Sequence, residues 1–302
     1  MDYQEFVEAL MDAITDKTEY NVEFHEAHEG RDKDAILVYL EEDENIISTF
    51  RLFTEEYYSE WKKGTKLDAL VSEVMQNVDV FKRTDSVKKM QSLKDYEKVR
   101  RRLILRPVNY ERNKEELRGA FYRRVDEIAL VLYMKTFAAD EMTMTVLVPA
   151  VYVDGWGLNE EDIFQAALQN TSRMMPPRAY DFRKMIFNPA YEGEDVHDPD
   201  YIPDRSEIGN CLSTKTKAYG AVAIFYPHIA DLFCQLMDTE ELYLAFTSIH
   251  EVMVHDARRM GDPKNLQEVL KNTIAEATPK SDFLTENIYH YDIENKKIEM
   301  LQ

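Results

Sequence analysis

The first apolar positions of the chain recur every three or four residues, a spacing typical of one face of a helix. These positions are Tyr3, Phe6, Val7, Leu10 and Ile14. Asp2 and Glu5 have the spacing of a capping box, in which each side chain accepts a hydrogen bond from the other residue's backbone N–H. The pattern predicts a helix over residues 2–15.

The next part of the chain alternates short apolar runs with longer helical patterns. The runs "YNVEF", "AILVYL" and "IISTFRLF" are rich in β-branched and aromatic residues, which favour strands. The segments "EEYYSEWKKG" and "KLDALVSEVMQNV" have helical spacing, and Gly64 separates them. We therefore predict an N-terminal α/β lobe over residues 1–97.

Residues 98–187 predict a central region of strands followed by a helix. The run "RRLILRPV" alternates polar and apolar residues, so its arginines are expected on one face of a strand. The segment "EMTMTVLVPAVYVDGWG" predicts a second strand with a turn at Gly155–Gly157. The segment "NEEDIFQAALQN" predicts a helix with Asn159 as its N-cap and acidic residues in its first turn.

Residues 188–209 have the composition of an exposed or mobile acidic linker loop. They contain three prolines, seven acidic residues and one basic residue, with few apolar side chains to bury. Beyond them we predict a C-terminal α+β lobe over residues 210–302. Its expected elements are a helix in "HIADLFCQLM", strands in "ELYLAF" and "IHEVMVH", a helix in "PKNLQEVLKN" and a closing hairpin in "NIYHYDIENKKIEML".

Two segments of the chain resemble each other, "GLNEEDIFQAALQNT" (157–171) and "GDPKNLQEVLKNT" (261–273). In both, an apolar strand is expected to lead through a glycine turn into a helix that ends in Leu-x-Asn-Thr. The match is short and needs a gap, so a repeated strand–helix unit and a chance similarity both stay open. The predicted fold class is α+β, with two lobes of mixed, mainly antiparallel sheet and packed helices.

Composition narrows the class of protein. The chain has 302 residues, of which 44% are hydrophobic and 31% charged, as in globular proteins with more than one core. Its net charge of −20 disfavours contact with nucleic-acid phosphates and anionic lipids. The two cysteines form no motif, which suits a reducing compartment, and no apolar run is long enough to span a membrane. We therefore expect a cytoplasmic protein with no membrane contact, and a protein partner rather than a nucleic acid.

The strongest candidate for chemistry is "HEVMVH" (250–255), which nearly matches the zinc-hydrolase motif H-E-x-x-H. That motif needs two histidines at i and i+4 of a helix, whereas the second histidine here is at i+5. The β-branched run predicts a strand, on which His250 and His255 point to opposite faces while Glu251 and His255 share one. His250, Glu251 and His255 therefore stay weak catalytic candidates, and no metal or cofactor site is predicted.

Other motifs give weaker signals. The segment "EFHEAHE" (23–29) places His25 and His28 among three glutamates without a closed ligand set. The segment "SVKK" (86–89) has the spacing of a serine acyl-enzyme but lacks the partner motifs. The sequence contains no glycine-rich phosphate loop and no nucleophile elbow.

Residues 98–124 differ from the rest because they carry ten basic residues and only three acidic ones. One interpretation is that the acidic remainder of the chain neutralises this basic segment. The other is a site for an anion or a partner, since arginine forks hold carboxylates and phosphates well. We favour neutralisation, which predicts no DNA binding even at about 50 mM salt, where phosphate contacts are strongest.

Four segments in order, "DYEKVRRRLILRPVNYERNKE", "WGLNEEDIFQAALQNT", "LSTKTKAYGAVAIFYP" and "TSIHEV", resemble a bacterial family labelled only as a domain of unknown function. The resemblance spans most of the chain. In that family the pair Tyr226–Pro227 and the stretch Ser248–Val252 recur, whereas a histidine at the position of His255 does not. The resemblance implies a bacterial cytosolic protein and supplies no activity, substrate or cofactor.

Two functional hypotheses follow from the sequence. The first is a non-catalytic binding or regulatory protein, of which an acidic nucleic-acid mimic is one form. The second is a hydrolase that uses the His250–Glu251 region, either with a metal or by acid–base chemistry. The two differ in whether His250 and Glu251 line a cleft together with other polar groups.

Overall fold

The structure is a computed structural model that describes residues 1–25, 34–43, 46–83, 92–139, 142–188, 191–206 and 208–301. In these residues ten α-helices and three mainly antiparallel sheets form an α+β fold, which confirms the predicted class. The chain divides into two compact units. Unit 1 comprises Met1–Leu93 and Thr136–Met144, and unit 2 comprises Lys94–Lys135 and Thr145–Gln302.

Unit 1 contains the predicted N-terminal helix, α1, over Tyr3–Thr15. The capping box of Asp2 and Glu5 forms as expected, because each side chain accepts a hydrogen bond from the other residue's backbone N–H. The predicted strands and helices that follow are also present. They are β1 (Asn21–His25), β2 (Ala35–Asp43), β3 (Ile46–Phe53), α2 (Thr54–Lys62) and α3 (Leu67–Arg83).

The core of unit 1 lies between the three helices and the sheet β1-β2-β3. Phe6 and Leu10 of α1 are fully buried, together with Val71 and Val74 of α3. Trp61 of α2 packs on this cluster and lies 5.6 Å from the Phe6 ring. The apolar face predicted for residues 2–15 is therefore the face that α1 buries.

Unit 2 begins with a short helix, α4 (Tyr96–Val99), which leads into a 3₁₀ turn over Arg100–Arg102. The strand that follows, β4, covers only Leu103–Asn109. The prediction that the arginines of "RRLILRPV" share a strand face is therefore wrong for Arg101 and Arg102. Asp95 caps α4 by accepting a hydrogen bond from the Glu97 N–H, so the chain is already helical when it reaches these arginines.

The four-stranded sheet of β4 is built around a long central strand. Its order is β4-β6-β5, and the fourth strand, β7, also pairs with β6. The pairings of β6 with β4 and β5 are antiparallel. The added strands are β5 (Tyr122–Val125), β6 (Ile128–Ala139) and β7 (Met142–Leu147).

The segment "EMTMTVLVPAVYVDGWG" was predicted as one strand, but the strand is limited to β7 and the segment is helical from Ala150. Helix α5 covers Ala150–Gly155, and the N-cap Pro149 explains the change because proline lacks the N–H that a ladder requires. The predicted helix α6 (Glu160–Met174) is confirmed, with the Asn159 side chain accepting from the Glu161 N–H. Helix α6 lies on β4, where Thr171 Oγ1 accepts from the Leu105 N–H at 2.9 Å.

The remaining strands of unit 2 form one seven-stranded sheet of order β14-β13-β11-β12-β10-β8-β9. The predicted strands in "ELYLAF" and "IHEVMVH" and the closing hairpin are confirmed as β11–β14. The strands are β8 (Pro177–Tyr180), β9 (Glu194–Asp195), β10 (Asn210–Thr214), β11 (Glu241–Ser248), β12 (Glu251–Asp256), β13 (Ile288–Asp292) and β14 (Lys297–Met300).

Four more α-helices complete unit 2 in the described residues. The two helices predicted in "HIADLFCQLM" and "PKNLQEVLKN" are confirmed as α8 and α10, and α10 packs on β11. The helices are α7 (Phe182–Phe187), α8 (Ile229–Met237), α9 (Ala257–Met260) and α10 (Pro263–Ala277). No helix among the described residues is long and apolar enough to cross a membrane.

The acidic segment 188–209 lies within unit 2, and its described part contributes to the fold. Its strand β9 pairs with β8, and Val196 and Tyr201 are buried. The Tyr201 hydroxyl lies 3.3 Å from Asn210 Oδ1. The segment therefore provides an edge strand and two buried side chains.

The two similar segments begin alike in the structure. Each follows a short helix, passes through a glycine with positive φ (64° at Gly157 and 63° at Gly261) and enters a 15-residue helix with an Asn or Asp N-cap. Their ends differ, because Thr171 is buried against β4 whereas Thr273 is exposed. The likeness is in how the helices start.

Candidate functional site

The hairpin β11–β12 determines where the candidates His250 and Glu251 lie. Strand β11 ends at Ser248 and β12 starts at Glu251, so His250 is in the connecting turn. Within this turn the His250 N–H donates to Ser248 Oγ at 3.0 Å. The strand predicted for this stretch is therefore confirmed from Glu251 onward, and His250 precedes it.

Both ring nitrogens of His250 face groups of the protein. Nδ1 accepts a hydrogen bond from the Tyr219 backbone N–H at 3.1 Å, which assigns the proton of the neutral ring to Nε2. Nε2 lies 3.5 Å from Asp282 Oδ2, and the His250 side chain is 35% exposed. His250 and Asp282 thus form a partly exposed His–Asp pair.

The carboxylate of Glu251 is held by two other side chains. Thr247 Oγ1 donates to its Oε1 at 2.8 Å, and the Cys211 thiol lies 3.6 Å from its Oε2. Burial, followed by the negative charge of Glu251, raises the pKa of the Cys211 thiol well above its ordinary value. The thiol stays protonated and is therefore not an activated nucleophile.

His255 occupies a different place from His250 and Glu251. It is buried on the same face of β12 as Glu251. The two residues are four positions apart, which separates them by about 13 Å at the rise per residue of a strand. Gly209, which has a φ of +75°, packs against its ring so closely that a Cβ there would overlap it. The structure thus does not bring the three sequence candidates into one site.

The described residues contain no group of three or more His, Cys, Asp or Glu side chains arranged to hold a metal ion. His25 lies at the end of β1, with its Nε2 3.7 Å from Glu23 Oε2. The rest of "EFHEAHE", including His28, and the segment "SVKK" lie outside the described residues. The expectation of a metal-free protein stays a prediction for elemental analysis.

Arg106 is the residue near His250 that the sequence analysis did not single out. Its guanidinium carbon lies 4.1 Å from the ring centre of Tyr219 and 5.0 Å from that of Tyr133. Its Nε is buried and has no hydrogen-bond partner among the residues that the structure describes. Within the described part of the chain no carboxylate forms an ion pair with Arg106, although Asp and Glu together number 57 in the sequence.

Tyr219 connects Arg106 to the His–Asp pair. Its ring centre lies 5.8 Å from that of His250, and its own φ of +53° is in the left-handed region. Next to it, Gly220 approaches Ser213 and the His250 carbonyl so closely that a Cβ would overlap both. The Ser213 hydroxyl also donates to the His250 carbonyl at 2.7 Å. The tyrosine and histidine are therefore held in place by backbone contacts.

Tyr133 does not neutralise the charge of Arg106. Burial is the largest cause that raises the pKa of its phenol, and the nearby Tyr219 and Glu116 raise it further, while Arg106 lowers it. The net shift is upward, so the phenol is uncharged at neutral pH. Arg106, Tyr133, Tyr219, His250 and Asp282 are together termed the arginine–tyrosine site below.

The sequence signal for this site is that Arg106 is charged while the residues on either side of it are apolar. Arg106 is the only basic residue within the apolar run of β4, where Leu105 and Pro107 on either side are buried. An arginine between buried residues of a strand must point to the opposite face. The pairing of that face with Tyr219 depends on tertiary structure and has no local signal.

The basic segment 98–124 is partly neutralised by nearby acids. Arg100 pairs with Glu97, and Arg123 pairs with Glu161. In the described structure Arg101 and Arg118 are exposed and form no ion pair. Neutralisation therefore applies to some members of the segment and leaves others facing solvent.

Comparison with known proteins adds a family but no activity. The model of a family of unknown function, DUF5688, matches residues 3–293. Neither the curated proteins nor the solved structures contain a match to this chain.

Proposed function

The chain belongs to the DUF5688 family of unknown function, and we propose that it is a non-catalytic binding protein whose partner presents an anionic group to Arg106. The single observation that supports this proposal is the Arg106 guanidinium over the rings of Tyr133 and Tyr219, whose buried Nε has no hydrogen-bond partner among the described residues. A planar guanidinium flanked by aromatic rings suits a carboxylate or a phosphate, because its parallel N–H groups match two oxygens.

The energetics of Arg106 support a role other than stabilising the fold. A buried donor without a partner costs about 1–3 kcal/mol, and each contact with an aromatic ring returns roughly 0.5–1 kcal/mol. With two rings, the internal contacts of Arg106 approximately cancel. A buried charge that gives the fold no net stabilisation is typical of a binding function.

Another form of a non-catalytic binding protein, an acidic nucleic-acid mimic, is supported by the net charge of −20 and by the acidic segment 188–209. Such a mimic would bind a DNA-binding protein in place of DNA. It predicts that the chain displaces a DNA duplex from its partner in a competition assay, and that displacement weakens as salt rises.

A second candidate function, acid–base hydrolysis, is favoured by the partly exposed pair of His250 and Asp282. A histidine oriented by a carboxylate is part of many hydrolytic sites. The nearby hydroxyls already have other partners, since Ser213 donates to the His250 carbonyl and Ser248 accepts from the His250 N–H. If the native protein hydrolyses activated esters and His250→Gln does not, the function is hydrolysis rather than binding.

The proposal is tested by thermal shift with a panel of small carboxylates. Members that bind should raise the melting temperature of the native protein and leave that of Arg106→Gln unchanged. Arg118→Gln is the matched control, because Arg118 is exposed and unpaired in the described structure yet outside the arginine–tyrosine site. Equal shifts in the native protein and in Arg106→Gln would contradict the proposal.

A further inference from the structure

A separate cleft of about 560 Å³ lies between the 3₁₀ turn Arg100–Arg102 and helix α6. Three arginines line it, two from the turn and one from the helix. They are Arg100, Arg101 and Arg173. The side chains of Tyr96, Gln169 and Asn170 complete the polar lining, and no described acidic residue lines the cleft. It is termed the arginine cleft here.

The backbone fixes the place of these arginines. The buried side chain of Asn170 donates from Nδ2 to the carbonyl of Arg100 at 2.5 Å and to that of Leu103 at 3.3 Å. It therefore ties the 3₁₀ turn to α6. Arg173 is three residues after Asn170, which places it on the same face of the helix. The convergence of the three arginines is thus built into the contact between turn and helix.

The charge of the arginine cleft is only partly balanced. Arg100 Nε lies 2.8 Å from Glu97 Oε2, but both side chains are largely exposed, so water screens this pair. Arg101 and Arg173 form no ion pair or hydrogen bond within the described structure. In a chain with 57 acidic and 37 basic residues, two convergent arginines without an acid are not explained by internal pairing.

We propose that the arginine cleft binds a small phosphorylated molecule. Its volume lies in the range of small-molecule sites, about 300–1,000 Å³, and arginine forks match phosphate oxygens. A small ligand experiences mainly the local positive charge, because salt screens charges beyond about 10 Å at 0.1 M. A DNA duplex would extend past the cleft over the acidic remainder, which repels it.

This site is independent of the one proposed at Arg106. The described lining of the arginine cleft contains no residue of the arginine–tyrosine site. Each site can therefore be removed by substitutions that leave the other intact.

The experiment is isothermal titration calorimetry of the full chain with ATP, pyrophosphate and adenosine at about 0.1 M salt. ATP and pyrophosphate should both bind with sub-millimolar affinity, because the phosphates carry the recognition, and adenosine should not bind. Arg101→Gln and Arg173→Gln should each weaken binding about tenfold or more, as expected for loss of a charge-assisted hydrogen bond. Arg118→Gln should bind like the native protein, because Arg118 is exposed and does not line the arginine cleft.

Three results would overturn the proposal. One is the absence of binding of ATP and pyrophosphate at millimolar concentration, with the protein shown to be folded by circular dichroism. Another is equal affinity in the native protein and the double variant Arg101→Gln/Arg173→Gln. The third is that a short DNA duplex binds more tightly than ATP and that this binding is lost in the same variants. The ligand would then be a nucleic acid rather than a small molecule.

Discussion

Arg106→Met is the substitution that best separates a structural arginine from a functional one. Methionine keeps an unbranched side chain of similar length but removes the guanidinium that lies between Tyr133 and Tyr219. It also removes the buried Nε, which has no hydrogen-bond partner in the described part of the chain. The change therefore deletes one unfavourable and two favourable contributions at once.

The magnitudes of these contributions nearly cancel. Removal of the unpartnered buried donor should gain about 1–3 kcal/mol, and loss of two cation–π contacts should cost roughly 1–2 kcal/mol. The expected change in the free energy of unfolding thus lies between a loss of about 1 kcal/mol and a gain of about 2 kcal/mol. Removal of one member of a buried ion pair would instead cost about 3–5 kcal/mol.

The assay is urea unfolding followed by tryptophan fluorescence, made specific for unit 2. The chain has two tryptophans, Trp61 in unit 1 and Trp156 in unit 2. In a Trp61→Phe background the remaining fluorescence reports on unit 2 alone, which avoids combining two transitions in one curve. Arg118→Met in the same background is the control for loss of an exposed arginine.

A loss of more than about 3 kcal/mol in Arg106→Met, with Arg118→Met unchanged, would refute the argument. Arg106 would then be a structural residue, and its unpaired state would no longer indicate a ligand. Near-neutral stability combined with lost anion binding is the result that we expect.

Three further predictions follow from the structure. Gly209→Ala should destabilise the protein by about 2–5 kcal/mol in the same urea assay, because it adds backbone strain and a clash with His255. Gly119→Ala is the control, since Gly119 also has a positive φ but faces open space, and it should cost only about 1–2 kcal/mol. Burial alone would raise the pKa of Asp256, but hydrogen bonds from Arg258 and Thr239 lower it, so the carboxylate stabilises the protein at neutral pH and this stabilisation is lost as pH falls below about 4. Asp256→Asn should therefore weaken the dependence of the free energy of unfolding on pH in the acid range. An unchanged pH dependence would contradict the assignment. Elemental analysis should find no stoichiometric zinc, and one zinc per chain that is lost in His250→Ala would show that the metal prediction is wrong.

The elements that the sequence predicts well are those defined by local patterns. Helix α1 needed only its apolar spacing and the pair Asp2 and Glu5, and both signals lie within the helix itself. The strand after His250 was likewise evident from its β-branched residues. Local chemistry decides such elements before tertiary contacts contribute.

The start of "RRLILRPV" was mispredicted, and the site at Arg106 was missed, because both depend on residues outside the segment itself. The alternation in "RRLILRPV" resembled a strand throughout, but Asp95 and Asn170 hold its first residues in a helical turn. The site at Arg106 was missed for the same reason, since Tyr219 is more than a hundred residues away in the chain. Residue types alone could nominate His250 and Glu251, but only tertiary structure shows that their polar groups have different partners.

The way in which β6 and β7 divide between the two units has a consequence for synthesis of the protein. Unit 1 comprises Met1–Leu93 together with Thr136–Met144, and Lys94–Lys135 of unit 2 lies between these pieces in the sequence. A ribosome that adds roughly 5–20 residues per second therefore completes unit 1 several seconds after its helices and first sheet have emerged. The last strands of unit 1 are thus supplied only after part of unit 2 has been synthesised. Nascent chains released just after Leu93 should consequently be more sensitive to protease than chains released after Met144.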